Sequence, residues 1–265
     1  MDGAGEGRAA EAAALARLYD LDLVDDPGDL DLYLALASRT GGPVLELGVG
    51  TGRLAVPLAQ AGHDVTGVDN DPAMIERARR AAAAAGRETV RRLEFVEADI
   101  VGLRLPAAGS FRLAIIALNT FLALGTREAQ RAALATVAAH LAPGGLAVAD
   151  VWQPNAEDLA RFDGRLALEY GRRDPESGRP VTKIASAQHD AARQGVTLTT
   201  IYEEGDPGFP PDRWIRVDRL RLVSGDELRG MAEDAGLEIE RLAGGYDLEP
   251  IGPSSERALL VAVHR

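Results

Sequence analysis

Val44-Leu45-Glu46-Leu47-Gly48-Val49-Gly50-Thr51-Gly52 decides the fold of this chain: a short apolar run of strand character enters three glycines at alternate positions, and helix formers follow from Arg53. Glycine lets backbone approach a bound group closely, and the helix start behind such a turn presents free N–H groups. Two phosphate-binding patterns fail on spacing. A dinucleotide fingerprint, Gly-x-Gly-x-x-Gly, would put glycine where Arg53 stands, and no Gly-Lys-Ser/Thr follows to make a P-loop.

Outward from that turn, short β-branched runs alternate with longer helical patterns, which indicates βαβ units and a parallel sheet. Val44 to Leu47, Asp64 to Val68, Leu93 to Val96, Leu113 to Leu118 and Leu146 to Val151 read as buried strands. Arg53 to Ala61, Pro72 to Ala85 and Arg127 to Leu141 read as the helices between them. Upstream, Glu11 to Leu18 and Leu30 to Ser38 are amphipathic and flank an acidic Pro-Gly turn, Asp25 to Asp29. These two helices either cover the site or simply pack on it.

From Pro154 to Leu222 the rhythm changes. Arg165 to Arg172, Val181 to His189, Val196 to Glu203 and Arg213 to Leu222 are strand-like and separated by turn residues, which predicts an antiparallel insertion. The apolar phase shifts from Ile215 and Val217 to Leu220 and Leu222, so a bulge is expected near Asp218. Ser224 to Glu227 has the Ser-x-x-Glu form of a capping box, and Leu237 to Leu242 and Ala258 to Val263 close the domain. The expected architecture is α/β: a Rossmann-like, doubly wound, mostly parallel seven-stranded sheet with an antiparallel β insertion after the fifth strand. The expected organisation is N-terminal cap helices over 1–40, a core over 41–153, the insertion over 154–223, and a helix and strands over 224–265 that complete the core.

Composition bounds the function. The 265 residues carry 46% hydrophobic and 26% charged side chains, ordinary for a folded soluble protein. Lys plus Arg number 29 against 41 Asp plus Glu, and a net charge of −12 repels phosphate backbones. Nucleic acid is therefore not an expected partner, and the arginines between Arg77 and Arg92 read as a solvated face. The absence of cysteine excludes disulfides, thiol nucleophiles and Cys-based zinc sites. No basic-then-apolar leader and no long apolar run is present, so a cytoplasmic protein without a membrane partner is expected.

Glu46 to Gly52 resembles the Glu/Asp-x-Gly-x-Gly-x-Gly motif of class I S-adenosylmethionine-dependent methyltransferases, and Gly67-Val68-Asp69, Met74 and Ala98-Asp99-Ile100 follow in the order that family uses. Further markers resemble the small-molecule branch that includes amino-sugar N,N-dimethyltransferases and glycine N-methyltransferase-like enzymes: Leu18-Tyr19-Asp20, Leu118-Asn119-Thr120-Phe121, Leu141-Ala142-Pro143-Gly144-Gly145, Val151-Trp152-Gln153-Pro154 and Gly245-Tyr246-Asp247. The resemblance implies S-adenosylmethionine as cofactor, with S-adenosylhomocysteine as product. It implies cofactor contacts at Tyr19, Glu46, Gly48, Gly50, Asp69, Asn70, Met74, Ala98, Asp99, Ile100, Leu118 and Asn119, with Asp69 taking the ribose hydroxyls. Tyr19 and Asn119 are the candidates that flank the transferring methyl group, and Phe121, Trp152 and Tyr246 are the candidate acceptor contacts.

One departure from the pattern stands out. Relatives with an Asn/Ser-Ser/Thr-Phe-x-His-Leu form carry a histidine where this chain has Ala123, so that base is missing. His63, His140, His189 and His264 read as surface residues. Asp20 and Asp150 have no suitable neighbour for Mg²⁺, and no metal is expected. The expected activity is methyl transfer to nitrogen or oxygen of a small-molecule acceptor by proximity and orientation. The alternatives are a noncatalytic cofactor-binding subunit and a protein or RNA methyltransferase. The Thr- and Val-bearing insertion strands also suggest a homodimer.

Overall fold

The computed structural model describes residues 3–25 and 27–265, with the side chains of Gly3, Ala4 and Glu6 excepted. Met1 and Asp2 of the expected cap segment and Asp26 of the expected turn lie outside the described residues. In chain order the elements are α1 (Gly3–Asp22), α2 (Leu30–Thr40), β1 (Val44–Leu47), α3 (Ala55–Gln60), β2 (Val65–Asp69), α4 (Pro72–Ala85), α5 (Arg87–Arg91), β3 (Leu93–Glu97), β4 (Phe111–Ile116) and α6 (Thr120–Ala123). They continue as α7 (Arg127–His140), β5 (Leu141–Trp152), α8 (Ala156–Arg161), β6 (Ala167–Arg173), β7 (Pro180–Asp190), β8 (Gly195–Glu204), β9 (Asp212–Arg221), α9 (Gly225–Asp234), β10 (Leu237–Ala243) and β11 (Arg257–His264). The chain divides into two compact units: Met1–Asp26 with Ala156–Leu220, and Pro27–Asn155 with Arg221–Arg265.

The larger unit is a seven-stranded sheet in the order β10-β11-β5-β4-β1-β2-β3. Neighbours from β5 to β3 pair in parallel, whereas β11 runs antiparallel to both β5 and β10. β1 and the middle of β11 are buried at every residue, which is why their sequences are continuous apolar runs rather than alternations. The helix starts are built locally. Asp71 accepts from Ala73 N–H ahead of Pro72, Thr126 accepts from Ala129 N–H, and Ser224 accepts from Glu227 N–H. The Ser224 capping box is thus half made, because the Glu227 carboxylate turns to Arg221 at 2.7 Å instead.

Several boundaries differ from the sequence reading, three of them with a physical reason or a consequence for the site. α1 extends from Gly3 rather than Glu11, in keeping with its run of alanines. β5 takes in Ala142-Pro143-Gly144-Gly145, which reads as a helix stop and serves as the first part of a twelve-residue strand. β4 ends at Ile116, leaving Leu118 in a turn with φ +52°.

The smaller unit is a four-stranded sheet in the order β6-β7-β8-β9, with antiparallel pairing across β6, β7 and β8. α1 lays Leu15, Leu18 and Leu21 on Tyr170, Val181, Tyr202 and Trp214 of that sheet. The Asp22 carboxylate accepts from Tyr170 Oη at 2.7 Å and Tyr202 Oη at 2.8 Å, and Lys183 Nζ pairs with it at 2.9 Å. In β9 the alternation continues past Asp218: Ile215 and Val217 are exposed, and Trp214, Arg216, Asp218 and Leu220 share the covered face. The phase shift in sequence therefore reflects polar residues on the covered face and apolar ones on the exposed face, and no bulge near Asp218 is required to explain it.

Candidate active site

The turn after β1 is stitched to the end of β2. Gly48 N–H and Val49 N–H both donate to Val68 O, at 2.8 and 3.0 Å. Gly48, Gly50 and Gly52 hold φ of +79°, +54° and +87°, a region that favours glycine. A Cβ on Gly48 would stand 2.3 Å from Thr120 Cγ2, so the glycine turn lies directly against the start of α6. A Cβ on Gly52 would stand 3.2 Å from Ala78 Cβ of α4, close but less severe, whereas nothing lies within 4 Å of a Cβ placed on Gly50.

Asp69 ends β2 with both oxygens engaged: Oδ2 accepts from Gly50 N–H at 2.9 Å and Oδ1 from Asp71 N–H at 3.0 Å. Beyond it, Asn70 is exposed and Met74 buried on α4. Ala98 N–H donates to Asp69 O at 2.9 Å, Asp99 is exposed and accepts from Val101 N–H at 2.8 Å, and Ile100 is buried. These residues follow the carboxyl ends of adjacent parallel strands, where open α/β sheets place their ligands.

Glu46 lies beneath that edge, 3% exposed within β1, and its Oε2 has no hydrogen-bond partner among the described residues. Burial pushes its carboxyl up to about 8, and the charges of Asp29 and Asp69 act the same way; Arg53 and the Ala55 backbone hydrogen bond oppose them. Arg53 is tied to the fully buried Asp29 by a two-pronged ion pair at 2.5 and 2.7 Å.

The turn after β4 forms a second corner. Leu118 N–H donates to Asp150 Oδ2 at 3.2 Å, and Trp152 N–H donates to Asn119 Oδ1 at 3.3 Å. Asn119 thus reaches across to β5 instead of capping α6. Tyr246 Oη donates to Asp150 Oδ2 at 2.9 Å, and Arg257 grips both Asp150 oxygens at 2.7 Å. Trp152 and Tyr246 are half-buried. Phe121 is fully buried, so its ring belongs to the core. Tyr19, on α1 in the smaller unit, is half-buried with the Arg216 guanidinium 5.5 Å from its ring centroid.

Residues 44–145 match the model of the methyltransferase domain family. The chain is 29% identical over 228 residues to the cypemycin N-terminal methyltransferase of a Streptomyces species, spanning 83% of this chain and 82% of that one. It is 28% identical over 239 residues to the dTDP-3-amino-3,4,6-trideoxy-α-D-glucopyranose N,N-dimethyltransferase of Streptomyces venezuelae, spanning 87% of this chain and 92% of that one. The structure of the CcbJ methyltransferase from Streptomyces caelestis matches with a TM-score of 0.76 at 26% identity, over 90% of this chain and 96% of that one. The chain carries a methyltransferase domain and is an S-adenosylmethionine-dependent methyltransferase.

Two residues of this corner are not legible in the sequence. Asp150 reads there only as a metal candidate and Arg257 carries no mark; their pairing needs a β5–β11 register that no local pattern reveals. His140 corrects the expectation of surface histidines. It is buried at the end of α7, where Nε2 accepts from Leu105 N–H at 3.1 Å and Nδ1 lies 2.7 Å from Thr136 O, so it anchors the loop before β4. Among the described residues, no helix of the methyltransferase is long and apolar enough to cross a membrane.

Proposed function

We propose that this methyltransferase acts on an amine nitrogen of a small molecule, with a nucleotide-linked amino sugar as the first class to test. The observation that carries this reading is the chemistry of the turn after β4. Leu118-Asn119-Thr120-Phe121-Leu122-Ala123 has no titratable side chain, and Asn119, with its oxygen on Trp152 N–H, keeps amide donors rather than a base. A neutral amine brings its own lone pair and needs only alignment, whereas a hydroxyl would need a base to ionise it. One curated relative is named as an N-terminal methyltransferase and the other as an N,N-dimethyltransferase, which supports the same reading.

When bound, S-adenosylmethionine supplies an electrophilic methyl group and departs as S-adenosylhomocysteine. We assign its binding to Glu46, Gly48, Gly50, Asp69, Asn70, Met74, Ala98, Asp99 and Ile100, with Leu118 and Asn119 beside it through their main chain only. The fit is supported by the free space beside Gly50, by the unpartnered Glu46 Oε2, and by Asp69, whose oxygens each accept one backbone N–H and keep a further lone pair for the ribose hydroxyls. Asn119 orients the acceptor, and Trp152 and Tyr246 contact it. The insertion bears a groove of about 590 Å³ lined by Phe162, Lys183, Ala185, Ala187, Leu198 and Thr200, of a size for a small-molecule ligand.

The net charge of −12 weighs against an RNA substrate. We also propose a homodimer through the insertion, supported by Leu168, Ile215 and Val217, which are 69%, 52% and 47% exposed on outer strands of its sheet. A monomer at every concentration in light scattering would contradict it. The function is tested by offering a dTDP-linked amino sugar, a peptide with a free N-terminus, a phenol and a carboxylate, and reading S-adenosylhomocysteine formation. Turnover with an amine and not with the others is expected. Turnover on phenol or carboxylate alone overturns the reading, and cofactor binding without turnover on any acceptor favours a noncatalytic subunit.

A further inference from the structure

We infer that Asp150 is the positioning residue of the acceptor-side corner: its carboxylate, fixed by Arg257 and Tyr246, clamps Leu118 N–H and so sets where Asn119 stands. The inference rests on the reading that Asn119 lies at the methyl-transfer site. Leu118 sits at φ +52°, a region that a leucine occupies only when its surroundings hold it there. The hold is visible. Asp150 Oδ2 accepts from Leu118 N–H at 3.2 Å, and two residues along the same strand Trp152 N–H donates to Asn119 Oδ1 at 3.3 Å. β5 therefore grips the corner at two points, the Asp150 side chain and the Trp152 main chain.

Asp150 is itself fully buried, and a lone carboxylate there would be costly. Arg257 answers it with Nε on Oδ1 and Nη2 on Oδ2, both at 2.7 Å, and Tyr246 Oη adds a third bond at 2.9 Å. The Arg257 guanidinium also stands 5.3 Å from the centroid of the Tyr246 ring, so the two partners brace each other. Arg257 lies opposite Trp152 in the β5–β11 register, so the Asp150–Arg257 pair is mounted on an antiparallel strand pair rather than on a loop. Well-packed apolar side chains would fill such a site with equal or greater stability, which makes stability alone a poor account of the arrangement. What apolar side chains lack is an acceptor for Leu118 N–H.

The test uses the full chain with S-adenosylhomocysteine as the ligand, comparing Asp150→Asn, the double variant Asp150→Leu with Arg257→Met, and Asn119→Ala. Deuterium exchange over 117–123, calorimetric affinity and melting temperature are read for each, together with kcat and KM on the acceptor that the screen identifies. In Asp150→Asn, exchange over 117–123 should rise tenfold or more and kcat should fall by a similar factor, with affinity for S-adenosylhomocysteine within threefold of the parent. The double variant leaves no buried charge unpaired, so its melting temperature should recover while exchange and kcat stay impaired. If the double variant regains corner protection and turnover along with its melting temperature, or if Asp150→Asn leaves exchange unchanged, the inference is wrong. Parent-like turnover in Asn119→Ala would instead remove the reading of Asn119, while the exchange data would still decide whether Asp150 clamps Leu118.

Discussion

At the end of β1 the chain is held by backbone hydrogen bonds and glycines drawn from one continuous stretch, whereas at the end of β4 it is held by side chains that lie far along the sequence. Gly48, Gly50 and Gly52 need no distant help to make their turn beyond the neighbouring strand. The β4 corner depends on Asp150, Tyr246 and Arg257, with the last two separated from Asp150 by 96 and 107 positions. The difference suits the two tasks proposed for them. A cofactor common to many enzymes can be met by backbone and a few carboxylates, but an acceptor must be aligned within a fraction of an ångström, which calls for a braced corner.

The comparison breaks most visibly at Gly48. Alanine there takes on the left-handed strain of about 1–2 kcal/mol, and its Cβ meets Thr120 Cγ2 at 2.3 Å, adding roughly 1–3 kcal/mol of overpacking. Gly48→Ala should lower the melting temperature and reduce affinity for S-adenosylhomocysteine beyond what Asp150→Asn does. Adding Thr120→Ala should restore part of it, because only the packing fraction is relieved. Normal affinity in Gly48→Ala alone would show that the turn tolerates a side chain.

A smaller effect concerns pH. Glu46 holds its proton in the folded state up to about 8, against an ordinary value of 4.5, chiefly because it is buried. A raised folded value contributes stability that is complete below the unfolded value and is lost as pH rises through the folded one. Between pH 6 and pH 8 the parent should lose about 2 kcal/mol of stability relative to Glu46→Gln, which cannot ionise. Parallel melting curves across that range would show that Glu46 is already ionised in the fold.

What was legible in the sequence follows the same division. The glycine turn is legible because its three glycines close a plain apolar run, whereas Asp69 and Asp99 are candidates through the resemblance to the methyltransferase pattern. The seven-stranded sheet and the insertion were legible through the change from helical periodicity to alternation at Pro154. The Asp150 hub was not, since a buried aspartate in an apolar strand gives no local sign of which arginine will face it. The surface reading of His140 failed for a related reason: a histidine at a helix end looks solvent-facing until the loop that folds onto it is known. α1 was shortened because its early turns carry alanine and glycine rather than a clear apolar stripe.

The most direct test of the central claim, that the β1–β2 edge binds the cofactor while the β4 corner orients the acceptor, is calorimetric titration of S-adenosylhomocysteine into the parent, Asp69→Ala and Asn119→Ala. Asp69→Ala loses a charged acceptor and should bind roughly 10- to 150-fold more weakly, an effect of about 1.5–3 kcal/mol. Asn119→Ala should stay within about threefold of the parent, since a truncated corner residue leaves the carboxylate edge intact. Parent-like affinity in Asp69→Ala, or a loss in Asn119→Ala as large as that expected for Asp69→Ala, would contradict the division.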